Sequence, residues 1–387
     1  MSRARIASSR CPAARIAQAP GGVAAARVRR GLVRWYARAR RDLPWRRSRD
    51  PYAVWVSEVM LQQTQVERVK DYFARFLRRF PTVGELAAAR EADVLKHWEG
   101  LGYYRRARQL HAAAQAVMVE HGGVFPATLT GLRSLPGVGR YTAAAIASIA
   151  FDLPAAIVEA NSRRVLARLV GHERPVGGAG DEPIWEVAEA LVPRRGAGVF
   201  NQALMDLGAM VCTPTRPLCR RCPVAGDCAA RATGRVERIP VLAAARDTKR
   251  IRETAVVTRH RNRVLVVRRG PGEWWEGLWD FPREPAGSTG HELGRFAYGV
   301  THHRVECAVV ERKAARATAG PPGSRWVPVE TLPALAMTSP GRRIARLVAT
   351  QPEPVSRPRS GAATPRRGRG AGDSRRAAAG SRRARRA

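Results

Sequence analysis

Leu135-Pro136-Gly137-Val138-Gly139-Arg140-Tyr141-Thr142 decides how this chain folds. Pro136 and the two glycines end one helix, and a second runs on to about Phe151. Glycine adopts backbone angles closed to other residues, so Gly137 and Gly139 permit a tight turn with amide N–H groups facing outward. Those groups sit at a helix start, where unpaired donors and the helix dipole favour an anion. An ordinary loop between helices has the same glycines. The Leu-Pro before them, the Arg and Tyr after them and the charge of the whole chain favour a hairpin that holds a phosphate.

The chain has 387 residues, 68 Lys plus Arg against 32 Asp plus Glu, and a net charge of +36. At roughly 150 residues per domain it holds two or three domains. With 45% hydrophobic residues it is not disordered throughout. No apolar run approaches the ~20 residues that cross a bilayer. The partner of so positive a chain is a polyanion, either nucleic acid or an anionic surface. Met1 to Arg41 has eleven Arg and no acid, and Gln351 to Ala387 eleven Arg against two acids, together 20 of the 36 charges. These Ala/Gly/Pro/Ser/Arg-rich ends read as a disordered basic leader, 1–30, and a disordered basic tail, 351–387. The leader also has the composition of a transit peptide, but Ala/Arg bias recurs along the chain and no secretory apolar segment is present. A reducing compartment, the cytoplasm, is expected.

Helical patterns fill the region 31–228. Asp50-Pro51 is an N-cap followed by proline at the first helical position, and predicts a helix from about Tyr52 to Arg68. Others follow to about Val211, with short Gly/Pro breaks and no period-two alternation, so this region is all-α. After a connector, 229–252, strands are expected at Thr254 to Thr258, Val264 to Val267, Arg304 to Val310 and Arg325 to Pro328, with a helix near Gly341 to Val348. This second domain, 253–350, is α+β.

Four of the six cysteines fall as Cys212-x6-Cys219-x2-Cys222-x5-Cys228. Four soft sulfur ligands on one loop suit tetrahedral zinc or an iron–sulfur cluster. Zinc sites more often pair two tight Cys-x2-Cys knuckles, and only one is present. Cys11 and Cys307 are isolated.

Trp45-Arg46, Asp50-Pro51-Tyr52, Ser57-Glu58-Val59-Met60-Leu61-Gln62-Gln63-Thr64-Gln65-Val66, Gly100-Leu101-Gly102-Tyr103-Tyr104, the hairpin and the cysteine loop occur in that order. In this the chain resembles the adenine DNA glycosylase (MutY) family of the helix-hairpin-helix superfamily, which includes endonuclease III. The resemblance implies a six-helix barrel module plus an iron–sulfur cluster module, followed by a Nudix-like domain that recognises 8-oxoguanine. It implies a monofunctional enzyme that flips and excises adenine mispaired with 8-oxoguanine or guanine in double-stranded DNA, working as a monomer with no membrane partner. One [4Fe-4S] cluster is implied at Cys212, Cys219, Cys222 and Cys228. A glycosylase of other base specificity and a non-catalytic mismatch-binding homologue are the alternatives.

By this resemblance Glu58, set among apolar neighbours that raise a carboxyl pKa, is the acid for the departing base. Glu159-Ala160-Asn161 stands where the family usually has Asp-Gly-Asn, so Glu159 would face the sugar cation with a side chain one methylene longer. Tyr141 occupies the place of the endonuclease III lysine, which implies base removal without efficient strand cleavage, with Tyr141 bonded to the site carboxylate. Gln63 and Tyr103 would wedge into the duplex, and Thr64 and Leu101 would lie at the 8-oxoguanine. Trp45, Arg46, Gln202 and Asn161 would line the adenine pocket, while Gly137 and Gly139 hold phosphate. In the C-terminal domain, Val300-Thr301-His302 stands where the family has Phe-Ser-His, leaving Thr301 and His302 as lesion contacts. Nothing after Gly277 supplies the row of glutamates that a Nudix hydrolase needs for magnesium.

The charged ends then contribute sequence-independent, salt-sensitive affinity. Trimming both is expected to flatten the salt dependence of DNA binding and leave single-turnover excision intact, which filter binding over a salt series and a glycosylase assay would read.

Overall fold

The computed structural model describes residues 23–242 and 247–350. The tail 351–387 and the first 22 residues of the leader lie outside them. The leader itself ends earlier than its composition suggests: helix α1 spans Val23–Ala39 and buries Val28, Leu32 and Tyr36. These three recur every four residues, forming one apolar stripe among arginines. A cut that removes only a leader therefore has to fall before Val23.

Helix α2, Pro51–Leu61, begins as expected, with the Asp50 side chain accepting from Tyr52 N at 3.2 Å and Ala53 N at 3.1 Å. Residues 52–60 are all buried, which makes α2 the central helix of the barrel. It stops seven residues short of the expected end: Gln63 takes φ +56°, and helix α3, Val66–Arg79, starts afresh. The cause lies outside the local sequence. Arg106, on helix α6 (Arg105–His121), donates Nη1 to the carbonyls of Val59 at 2.7 Å, Met60 at 3.0 Å and Gln62 at 2.6 Å. A side chain thus satisfies carbonyls that another helical turn would have used.

Helices α4 (Val83–Ala88) and α5 (Glu91–Trp98) precede α6. Helix α7 (Leu129–Ser134) leads into the hairpin and α8 (Arg140–Phe151). Their shared core includes Trp55, Phe76, Phe80, Trp98 and Ile146. A second core joins α1 to α9 (Ala160–Val170), α10 (Glu182–Leu191) and α11 (Ala197–Met210), with the cysteine loop against it. These are the barrel and the cluster module. A short helix α12, Ala229–Ala232, follows the last cysteine, and β1 (Pro175–Val176) pairs in parallel with β2 (Val241–Leu242).

The C-terminal domain is a mixed seven-stranded sheet. Its spine is β3 (Lys249–His260), which pairs on one side with β4 (Arg263–Arg268) and, in parallel, with β8 (His303–Lys313) on the other. Strands β5 (Trp279–Asp280) and β9 (Ser324–Pro328) pair with β4, and β6 (Arg283–Pro285) with β3. The edge strand β7, His291–Val300, pairs with β8 through to Val300 opposite His303. It was not expected, because only Leu293 and Phe296 along it are buried and no alternation stands out. Helix α13, Ser339–Ala349, caps one face. The sheet begins at Lys249, four residues before the expected boundary. Leu278 and Ala336 of this domain belong to the barrel core, so the two domains share packing. Among the described residues no helix is long and apolar enough to cross a membrane.

Leu32 is 1% exposed on a helix whose solvent face is mostly arginine, so its packing holds α1 down. Leu32→Ala is expected to cost about 3 kcal/mol, read as a lower urea midpoint with an unchanged slope.

Candidate active site

The end of α2, the hairpin and the start of α9 enclose a hollow of about 910 Å³, within the range of small-ligand sites. Of the residues nominated from sequence, it gathers Trp45, Arg46, Glu58, Gln63, Thr64, Gly137, Gly139, Tyr141, Glu159, Asn161 and Gln202. Leu101, Tyr103, Thr301, His302 and the four cysteines lie outside it.

Glu58 is 3% exposed. Burial pushes its carboxyl up to about 7, opposed by the Tyr141 hydrogen bond and by the Arg46 charge and assisted by the Glu159 charge. Tyr141 donates its hydroxyl to Glu58 Oε2 at 2.5 Å, and the same apolar surroundings, with two nearby carboxylates, push the phenol well up. Tyr141 is therefore a proton-bearing donor aimed at Glu58. Arg46 stands near, but its guanidinium is already engaged. It donates to Asp206 Oδ2 at 2.5 Å and Oδ1 at 2.9 Å, and Arg41 Nε donates to the same carboxylate at 2.8 Å. Asp206 is fully buried. Neutralising Arg46 from behind leaves burial as the largest influence on Glu58.

Glu159 has a second occupation. Its Oε2 accepts from Asn161 N at 2.8 Å and its Oε1 from Ser162 N at 2.7 Å, while Ser162 Oγ accepts from Glu159 N at 2.8 Å. This capping box starts α9 and fixes the carboxylate on the wall of the hollow. Asn161 accepts at Oδ1 from Arg164 Nη2 at 2.8 Å, and Gln202 accepts at Oε1 from Tyr36 at 3.1 Å. Trp45 reaches the hollow from a buried position, edge-on to Phe73 at 5.6 Å.

Gly137 takes φ +73° with its α-carbon packed against the Gln109 side chain, where a Cβ would lie 2.6 Å away, and Gly139 is the N-cap of α8. Gln63 and Tyr103 project from two neighbouring turns, each with positive φ, and Tyr103 is 53% exposed. Leu101 is buried. Arg106 ties these turns together: Nη2 donates to Gly102 O at 3.1 Å and Thr64 Oγ1 at 3.3 Å. Thr301 and His302 form the turn between β7 and β8, where Thr301 has φ +51° and its hydroxyl lies 3.2 Å from His303 Nδ1.

The four cysteines are free of disulfides and half-buried. They line one hollow beside Arg168, whose Nη1 donates to Cys212 Sγ at 3.3 Å. Burial, with the charges of neighbouring cysteines adding, pushes the Cys222 thiol up to about 11 and the Cys228 thiol upward. No group of three or more His, Cys, Asp or Glu among the described residues is arranged for a single metal ion. Four thiols with no imidazole or carboxylate among them make a soft sulfur donor set, whose chemistry fits an iron–sulfur cluster as it does tetrahedral zinc.

Sequence reasoning missed Asp206, Arg106 and Tyr36. A lone Asp in an apolar helix could have drawn notice to Asp206; Arg106 and Tyr36 carry no local signal.

The description "HhH-GPD superfamily base excision DNA repair protein" matches residues 56–179, and a NUDIX domain matches residues 253–347. The superfamily match thus falls on the helical core that carries the hairpin and the site at α2, and the NUDIX match falls on the sheet domain behind it. The chain is 44% identical over 267 residues to the adenine DNA glycosylase of Rattus norvegicus, covering 66% of this chain and 51% of that protein. It is 43% identical over 204 residues to that of Mycolicibacterium smegmatis, covering 52% and 69%, and 33% identical over 265 residues to that of Buchnera aphidicola subsp. Acyrthosiphon pisum, covering 65% and 73%. The chain belongs to the adenine DNA glycosylase family. It spans about half the length of the rat relative.

Glu58 holds its proton near 7 when folded, against 4.5 for an ordinary glutamate. Folded protein therefore binds this proton more tightly than unfolded protein, and the stability present below the unfolded value is lost as pH rises through about 7. Glu58→Gln removes that loss. Its melting temperature is expected to exceed that of the wild type at about pH 8, by an amount worth on the order of 2–3 kcal/mol, with the gap closing toward about pH 5.

Proposed function

We propose that this protein excises adenine paired with 8-oxoguanine, or with guanine, from double-stranded DNA by hydrolysis, leaving an abasic site. The observation that carries the reading is Glu58: a buried carboxyl with its pKa near neutrality, bonded to Tyr141, in a hollow of a chain belonging to the adenine DNA glycosylase family.

An adenine in the stack keeps its glycosidic bond out of reach, so the nucleotide turns out of the duplex into the hollow. Gln63 and Tyr103 fill the gap, Thr64 and Leu101 meet the opposite base, and Gly137 and Gly139 give their amides to a phosphate. Trp45, Arg46, Asn161 and Gln202 seat the adenine. Glu58 passes its proton to a ring nitrogen as the bond from base to sugar breaks and its electron pair leaves with the adenine. The sugar carbon becomes cationic, and Glu159, fixed by its cap, faces it with negative charge. Water then adds to that carbon and its proton returns to Glu58. Tyr141 orients the Glu58 carboxyl through its hydroxyl and offers no amine, so no Schiff base forms there. Thr301 and His302 contact the 8-oxoguanine.

Cys212, Cys219, Cys222 and Cys228 would hold one [4Fe-4S] cluster, which when bound gives the loop a rigid cross-link. That loop carries Arg216, Arg220 and Arg221 toward phosphates. The protein works as a monomer on DNA in the cytoplasm.

Duplexes with single defined mispairs, followed by hot alkali, test the reading. Scission at adenine opposite 8-oxoguanine and, more slowly, opposite guanine is expected; scission at pyrimidines, or tight binding without scission, refutes it. The single-turnover rate should fall above about pH 7 as Glu58 loses its proton, and Glu58→Gln should lower it at least ~100-fold.

A further inference from the structure

Between α5 and α6 lies the turn Gly100-Leu101-Gly102-Tyr103, whose tip, Tyr103, is 53% exposed. Its take-off is tightly built. Gly100 has φ +101°, and a Cβ there would lie 2.3 Å from the Tyr72 hydroxyl. Gly100 O accepts from Arg68 at 2.6 Å, and Tyr72 donates to Glu99 O at 2.9 Å. A shift of Glu99 or Tyr104 is thus passed to the tip rather than absorbed by slack backbone.

The residues at both ends of this turn touch the C-terminal domain at one place, the first turn of α13. Glu99, which ends α5, accepts at Oε1 from Arg342 Nε at 2.5 Å and at Oε2 from Arg342 Nη2 at 2.9 Å. Arg342 also donates to the carbonyls of Leu332 at 2.8 Å and Leu335 at 2.5 Å. Lys96, one turn before Glu99, donates to Pro333 O at 2.6 Å and pairs with Glu99 at 3.1 Å. At the other end, the Tyr104 hydroxyl accepts from Gly100 N at 3.0 Å and lies beside the side chain of Ser339. The Glu99 and Arg342 side chains are 16% and 18% exposed. A bidentate, part-buried guanidinium–carboxylate pair holds a fixed geometry that a surface pair does not.

We propose that the first turn of α13 clamps both ends of the Gly100–Tyr103 turn, with Glu99 and Arg342 as positioning residues that set how Tyr103 enters the duplex. The C-terminal domain thereby acts on the excision site through this turn, in addition to any contact of its own with DNA. The inference rests on the proposed reading of Tyr103 as the wedge. It adds a mechanical link from the second domain to the first that needs no nucleic acid to form.

The test uses the full chain and a duplex with 2-aminopurine beside an adenine:8-oxoguanine mispair, whose emission rises when neighbouring bases unstack. Glu99→Ala is expected to reduce that rise and to slow single-turnover excision about tenfold, since misplacement of about 1 Å at a distance can cost up to about 100-fold. In a Tyr103→Ala background the same substitution should change excision less than about twofold, because its effect runs through the side chain already removed. Arg342→Lys, which keeps the charge and loses the fork, should reproduce both results with a near-native melting temperature. Equal losses in both backgrounds, or no loss in the wild-type background, would overturn the clamp. A wild-type chain that gives the emission rise but no excision would instead sink the functional reading, and the emission comparison would still decide the clamp.

Discussion

One guanidinium holds the working parts of this molecule in register. Arg106 is 8% exposed and has no carboxylate partner among the described residues; burial pulls its pKa down to about 10. Its charge is met by carbonyls at the end of α2 and in the turn before α6, and by the faces of Trp98 and Tyr103 at 5.3 and 5.5 Å. Burying a cation costs several kcal/mol unless its donors are satisfied. Those carbonyls must therefore stay where they are, and they belong to the backbone that carries Glu58 on one side and Gln63 and Tyr103 on the other. The acid and the two projecting side chains are parts of one rigid arrangement.

The same logic, neutralising charge from behind, shapes the hollow. Arg46 beside an unprotonated Glu58 would draw its pKa down. Asp206 takes up Arg46 and Arg41 together, so the arginine can shape a polar wall without discharging the acid. Glu159 then adds negative charge at a distance fixed by a helix cap. Each of the three carboxylates has a separate environment: Glu58 is buried with its pKa raised to about 7, Asp206 is buried and paired, and Glu159 is capped and faces the cavity.

What could be read from the chain without coordinates follows this division between local and distant causes. Asp50 as an N-cap, the two hairpin glycines and the apolar setting of Glu58 depend on neighbours within a few residues, and the structure has each as expected. The end of α2 at Leu61 was illegible because Arg106, more than forty positions later, supplies the donors. Asp206 and Tyr36 matter only through partners on other helices. Helix α1 was hidden by composition: its apolar stripe has only Val28, Leu32 and Tyr36 in the described core, set among arginines. Strand β7 was hidden because it lies at an edge with little to bury. Glu159 was legible as a charge near the site, and its capping role appears only with the hydrogen bonds drawn.

The capping box at Glu159 has a consequence for substitution there. A side chain that kept an acceptor oxygen but lost its charge, such as glutamine, would still cap a backbone N–H and still start α9. The hydrogen bonds that start the helix would persist in part, and with them the local fold. On the proposed reading, such a change would leave the helix start intact while removing the negative charge that faces the sugar.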